Sequence, residues 1–184
     1  MSDIDVKFDG DPTEIGNLST SLETLSTNIT DTWASELRSG HSTAIDEWSG
    51  ESATAFDTDA TSAETDLSDL SEDVSSFKKA VDDLKIELDS VKSTLETAIS
   101  DATTYGLTVE GTTIKEPTKP LCLVSIPVAG MTQQVTVTEE EAKQVDDYNE
   151  KVKHYNTISD NVSKAREKEK KAHDDFQESC FGIV

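Results

Sequence analysis

Positive charge, aromatic surface and long apolar runs are all scarce in this chain. Lys and Arg number 16 against 38 Asp and Glu, a formal net charge of −22 over 184 residues. Nucleic acids and anionic membranes demand a basic footprint, so neither is an expected partner. Aromatic residues make up 5% and hydrophobic residues 34%, which suits narrow apolar seams between helices better than a wide multilayer core. No stretch approaches the roughly 18 consecutive apolar residues of a membrane span, so stable membrane insertion is not expected. Met1 to Gly10 lacks the basic and apolar regions of a secretory signal, so export would need a route that reads no such signal. Two cysteines, Cys122 and Cys180, are too few for a disulfide framework. They read as unpaired, partly buried thiols at different ends of the fold.

Chemistry-bearing motifs are equally thin. The eight glycines are dispersed, with no phosphate loop. His41, His154 and His173 form no metal-binding pair and read as solvent-facing helical histidines. Asp57-Thr58-Asp59 and Asp174-Asp175 lack the architecture of a calcium loop and read as solvated helix charges. Serine and threonine are abundant, yet no GxSxG or SxxK occurs. The expectation is a protein with no cofactor, no metal and no catalytic site. The one basic cluster, Lys164 to Lys171, is interleaved with glutamates and reads as a salt-bridged helix surface. It contrasts with residues 1–105, where 24 acids meet 6 bases.

What the sequence does carry is helical periodicity. Asp11-Pro12-Thr13-Glu14 supplies an N-cap, a proline fit for the first helical position and an early acid. Ile15, Leu18, Leu22, Leu25, Ile29, Trp33 and Leu37 then recur three or four apart, predicting one buried stripe. Gly40 offers a stop, while Ala44 and Trp48 carry the spacing on toward residue 47. The second helix is the clearest signal: Phe56, Ala60, Ala63, Leu67, Leu70, Val74, Phe77, Val81, Leu84, Leu88, Val91, Leu95, Ala98 and Ala102 alternate steps of four and three. No proline or glycine interrupts residues 51–105, which predicts about 50 helical residues with a coiled-coil seam. Such a seam must pack against something.

From Tyr105 the period changes. Val109-Glu110-Gly111-Thr112 predicts a hairpin turn between Leu107–Val109 and Thr112–Ile114. Leu121 to Ile126, then Val135 and Val137, add short β-type runs. The sum is a small cap of three or four strands, too small to stand alone. Thr138-Glu139-Glu140-Glu141 opens a third helix to about Cys180, expected to return antiparallel along the second. The predicted fold is mainly α: an elongated three-helix bundle or coiled-coil hairpin with a small β cap between helices two and three. One structural domain is expected, with a hairpin over 1–105, the cap over 106–138 and the last helix over 139–184.

Between the first two helices stand Trp48, Ser49 and Gly50, followed by Ala53, Ala55 and Phe56. A Trp-x-Gly triplet at the junction of two amphipathic helices, without a signal peptide, resembles the WxG small helical-hairpin family of type VII secretion substrates. The resemblance covers about residues 8–100. It implies a non-enzymatic bacterial protein, made in the cytoplasm and secreted or displayed at the cell surface by a signal-peptide-independent route. It also implies pairing as a homodimer, or as a heterodimer with a similar small hairpin, and recognition by a secretion-machinery component through Trp48, Ser49, Gly50 and Phe56. Leu67, Leu70, Val74, Phe77 and Val81 are the expected interface seam.

The chain departs from that family's pattern twice. It overruns the usual hairpin, which makes it similar to the amino-terminal targeting regions of type VII-exported toxins; Phe181-Gly-Ile-Val184 would then precede an effector domain. It also lacks Tyr-x-x-x-Asp/Glu, since Tyr105, Tyr148 and Tyr155 are followed four residues later by Val109, Val152 and Ser159. Two readings follow. Either a partner supplies that signal to an exported substrate, or the chain is a coiled-coil adaptor or structural protein unrelated to export.

Overall fold

A computed structural model describes residues 2–121 and 138–182. Helices dominate: α1 (Pro12–Thr27), a π-helical segment (Asn28–Trp33), α2 (Ala34–Glu47), α3 (Glu51–Thr104) and α4 (Glu139–Phe181). Three two-residue strands, β1 (Ile4–Asp5), β2 (Val109–Glu110) and β3 (Thr113–Ile114), form one antiparallel sheet in the order β1-β3-β2. The fold is mainly α with a small β element, as the periodicity predicts. The chain divides into two compact units, Met1–Asp9 with Ser90–Lys170, and Gly10–Asp89 with Lys171–Val184. We call them the cap unit and the hairpin unit.

Helix ends follow local chemistry. Asp11 accepts a hydrogen bond from the Thr13 amide at 2.9 Å, with Pro12 opening α1 where no amide partner is needed. At α4 the capping box is reciprocal: the Thr138 amide donates to Glu141 at 2.8 Å and the Glu141 amide to the Thr138 hydroxyl at 3.2 Å. The Thr138 amide, joined by the Thr138 hydroxyl donating to the same carboxylate oxygen at 2.9 Å, holds Glu141 below its ordinary pKa. Helix α3 stops in a Schellman arrangement. Gly106 takes φ +67°, its amide donates to Thr103 at 3.1 Å, and the Leu107 amide donates to Ala102 at 2.8 Å. Gly40 does not end the first helix, because α2 runs through it to Glu47.

The cap unit holds the denser core. Val91, Leu95, Ala98 and Ala102 of α3 pack with Tyr155, Ile158, Val162 and Ala165 of α4, and with Ile4, Val6, Leu107 and Ile114 around the sheet. The Lys168–Ser90 bond and the Tyr105–His154 ring stack set α4 antiparallel to α3 here. Two expectations are corrected. The sheet is not confined to the segment between the long helices: β1, from the acidic amino terminus, pairs with β3. Ile4, Val6 and Phe8 alternate toward the core, and the Tyr155 hydroxyl and Arg166 guanidinium donate to the carbonyls of Ser2 and Lys7. The hairpin is also shifted by one residue, Val109 pairing with Ile114 and Glu110 with Thr113, so the loop is Gly111-Thr112 with Gly111 at φ +61°. The β-type runs predicted within 122–137, and the placement of Cys122, lie outside the described residues. Cys180 is half-buried on α4.

In the hairpin unit the first helix lies antiparallel to α3. Ser19 donates to Asp82 at 2.5 Å, Ser26 and Ser75 meet at 3.3 Å, and Arg38 reaches Glu64 at 3.5 Å. Buried Ala53 and Ala60 let the two backbones approach closely. The π segment corrects the expected stripe. Up to Ile29 the inward positions include Ile15, Ser19, Leu22 and Ser26; beyond it they are Ala34, Leu37, His41 and Ala44. The Ala34 amide donates to Ile29 five residues back rather than four. The inward face therefore resumes one residue later than the three-and-four spacing predicts. Leu18, Leu25 and Trp33, expected inside, are exposed.

Candidate docking end of the hairpin

The turn that joins α2 to α3 is built for a sharp reversal. Trp48 leaves the helix in extended conformation, φ −127° and ψ 138°. Gly50 then adopts φ +108°, where a side chain strains the backbone even though open space surrounds the position. The Gly50 carbonyl accepts from the Thr54 amide at 3.0 Å and seeds the first turn of α3. This geometry leaves Trp48 47% exposed. It is braced on one side by Phe56, with ring centroids 5.8 Å apart at a tilt of 45°.

Behind the aromatic pair sits a charged latch. The His41 ring meets Phe56 edge-on, 6.0 Å between centroids and 74° between planes. Its Nδ1 lies 2.9 Å from Glu64 Oε1 and its Nε2 2.8 Å from Asp57 Oδ1. Two carboxylate acceptors, one on each nitrogen, are satisfied together only by the doubly protonated imidazolium. Glu64 foremost, and Asp57 next, raise the His41 pKa above its ordinary value. The His41 side chain is only 12% exposed, which corrects its reading as solvent-facing. His154 is likewise half-buried and stacked on Tyr105, while His173 is exposed. Asp57, read as a solvated charge, is exposed and also forms one jaw of the latch.

The predicted site residues thus separate into two groups. Trp48, Ser49, Gly50 and Phe56 gather at one end of the hairpin, joined by His41, Asp57 and Glu64, which the sequence reading did not include. The predicted seam is graded. Val81 is buried, Leu67, Val74 and Phe77 are half-buried, and Leu70 is 45% exposed. The basic cluster behaves as a helix surface: Arg166 pairs with Glu169 at 2.8 Å and Lys171 with Asp175. A cleft of about 580 Å³ in the cap unit is lined by Lys115 and Lys151. Lys115 is paired with Asp3 and Glu110 and Lys151 with Asp147, so neither offers an open cationic contact. Among the described residues no group of His, Cys, Asp and Glu is arranged to hold a metal ion, and no helix is long and apolar enough to cross a membrane.

What the hairpin end offers chemically is an aromatic surface on a stiff turn, surrounded by negative charge. From residue 39 to 77 there are ten acids and no Lys or Arg. Compared with protein-family models, curated proteins and solved structures, the chain matches none.

Proposed function

We propose that the chain is a non-enzymatic type VII secretion substrate, or the targeting domain of a larger exported effector, that docks through its Trp-x-Gly turn. The observation that carries this reading is Trp48: a large aromatic, nearly half exposed, held on Phe56 at a glycine turn between two antiparallel helices. Exposed, pre-positioned aromatics are the side chains that anchor protein–protein contacts. Partners are a small helical-hairpin protein and a component of the secretion machinery, reached after synthesis in a bacterial cytoplasm. The absence of Tyr-x-x-x-Asp/Glu favours a second reading, a coiled-coil adaptor unrelated to export. The test is to follow the chain in its native host and in an otherwise identical strain lacking the type VII motor. Accumulation outside the first strain but not the second supports export. Equal intracellular retention in both strains leaves the adaptor reading in its place.

A further inference from the structure

Helix α3 repeats every seven residues, and its lines have different fates in the hairpin unit. Ala53, Ala60 and Val81 lie on the line that faces the first helix and are buried. A neighbouring line runs Phe56, Ala63, Leu70, Phe77 and Leu84. Helix α4 covers its upper end: Phe176 meets Phe77 with centroids 6.1 Å apart, and Leu84 borders one small cavity with Ala172 and Phe176. Helix α4 ends at Phe181. Below that cover Leu70 is left 45% exposed and Ala63 half-buried, while Phe56 at the foot of the line is met by His41 of α2 and by Trp48. The first helix adds to the open edge. Ser19 and Glu23 turn toward Asp82 and Lys78 on one flank, while Leu25 and Trp33 are exposed on the opposite flank.

The charge beside this lane names its occupant. The adjoining line reads Asp59, Asp66, Asp73, Ala80 and Glu87. Where α4 lies, Lys171 pairs first with Asp175, and Glu87 borders the same small cavity as Asp175 and Phe176. Asp59, Asp66 and Asp73 are exposed, and among the described residues none has an ion-pair partner. A second copy of the hairpin would bring 19 further acids and 4 bases over residues 10–89, and like charges placed opposite each other repel. We propose that the lane along Leu70 and Ala63, with Phe56 at its foot, is a docking groove for a cationic amphipathic helix of a different protein, whose apolar stripe extends the seam begun by α4 and whose Lys or Arg residues face Asp59, Asp66 and Asp73. The proposal holds whether the chain is exported or is an adaptor.

Two designed helical peptides with the same Leu/Ala stripe, one flanked by Lys and one by Glu, test it against the purified full chain. Fluorescence anisotropy at about 0.15 M salt is expected to show the Lys peptide binding and the Glu peptide not. Replacing Asp59, Asp66 and Asp73 by Asn should weaken the Lys peptide about tenfold. Neutralising Glu51, Asp69 and Glu72, three exposed acids of α3 that lie off this line, should leave it within about twofold. All six positions are exposed, so each variant can be checked for unchanged helicity. Equal weakening by the two triple variants would mean general attraction to an acidic chain and would overturn the groove. So would a dimer of the chain alone at micromolar concentration that Leu70→Glu dissolves, because a second copy would then occupy the lane. Because the peptides are read on purified protein, failure here is distinct from failure of export.

Discussion

Deleting one residue from the middle of a helix ordinarily rotates everything beyond it by about 100° and dismantles the packed face. Deletion of Thr32 should not. The π segment already holds one residue too many, and the Ala34 amide reaches back five residues to Ile29. Without Thr32, which is exposed, that same bond spans four residues and the segment becomes ordinary α-helix. Ala34, Leu37, His41 and Ala44 keep their inward phase. The expected cost is within about 1 kcal/mol, the range of a surface change. Deletion of Ser21, also exposed but in regular helix, is the contrast. It turns Ile29, 1% exposed in the native fold, out of phase with Ser19, at a cost of at least about 2–3 kcal/mol for that side chain alone. Urea unfolding followed by circular dichroism measures both deletions. Equal destabilisation by the two would refute the claim that the π segment resets the helical phase.

Further outcomes follow from the latch and the amino-terminal strand. The folded pKa of His41 is raised above its unfolded value near 6.5, so its contribution is complete below that pH and is lost as pH rises through the folded value. Trp48 fluorescence, read in a Trp33→Phe background, should titrate with that transition, and His41→Gln should flatten it. Val6 is buried at 3% exposure in the cap-unit core. Val6→Ala should cost about 2 kcal/mol and speed amide exchange at Ile114, which pairs with Ile4 of β1.

Helix ends and lengths were legible because they rest on local chemistry. Asp11, Pro12 and the Thr138–Glu141 pair announce their helices within four residues, and the unbroken apolar steps of α3 leave no competing assignment. The strand β1 carried a readable signal in the alternation of Ile4, Val6 and Phe8, but a two-residue strand owes its existence to β3 more than a hundred residues away. The π segment was invisible for a different reason. Trp33 continues the three-and-four spacing after Ile29, so the pattern passes through the slip undisturbed, and only packing against α3 selects Ala34 instead. His41 falls on the stripe between Leu37 and Ala44 even without the slip, and its inward placement was missed because a polar ring there needs acceptors that only α3 supplies. Asp57 and Glu64 sit seven residues apart on α3, and nothing local connects them to a histidine on another helix.

The most direct measurement is the extracellular amount of chain in the native host for wild type, Trp48→Ala and Trp48→Phe, at matched intracellular abundance and helicity. A docking aromatic predicts that Trp48→Ala stays in the cell while Trp48→Phe, which keeps a ring against Phe56, is at least partly secreted. Secretion of Trp48→Ala at the wild-type level would contradict the account and reduce Trp48 to a plug at the end of a hairpin.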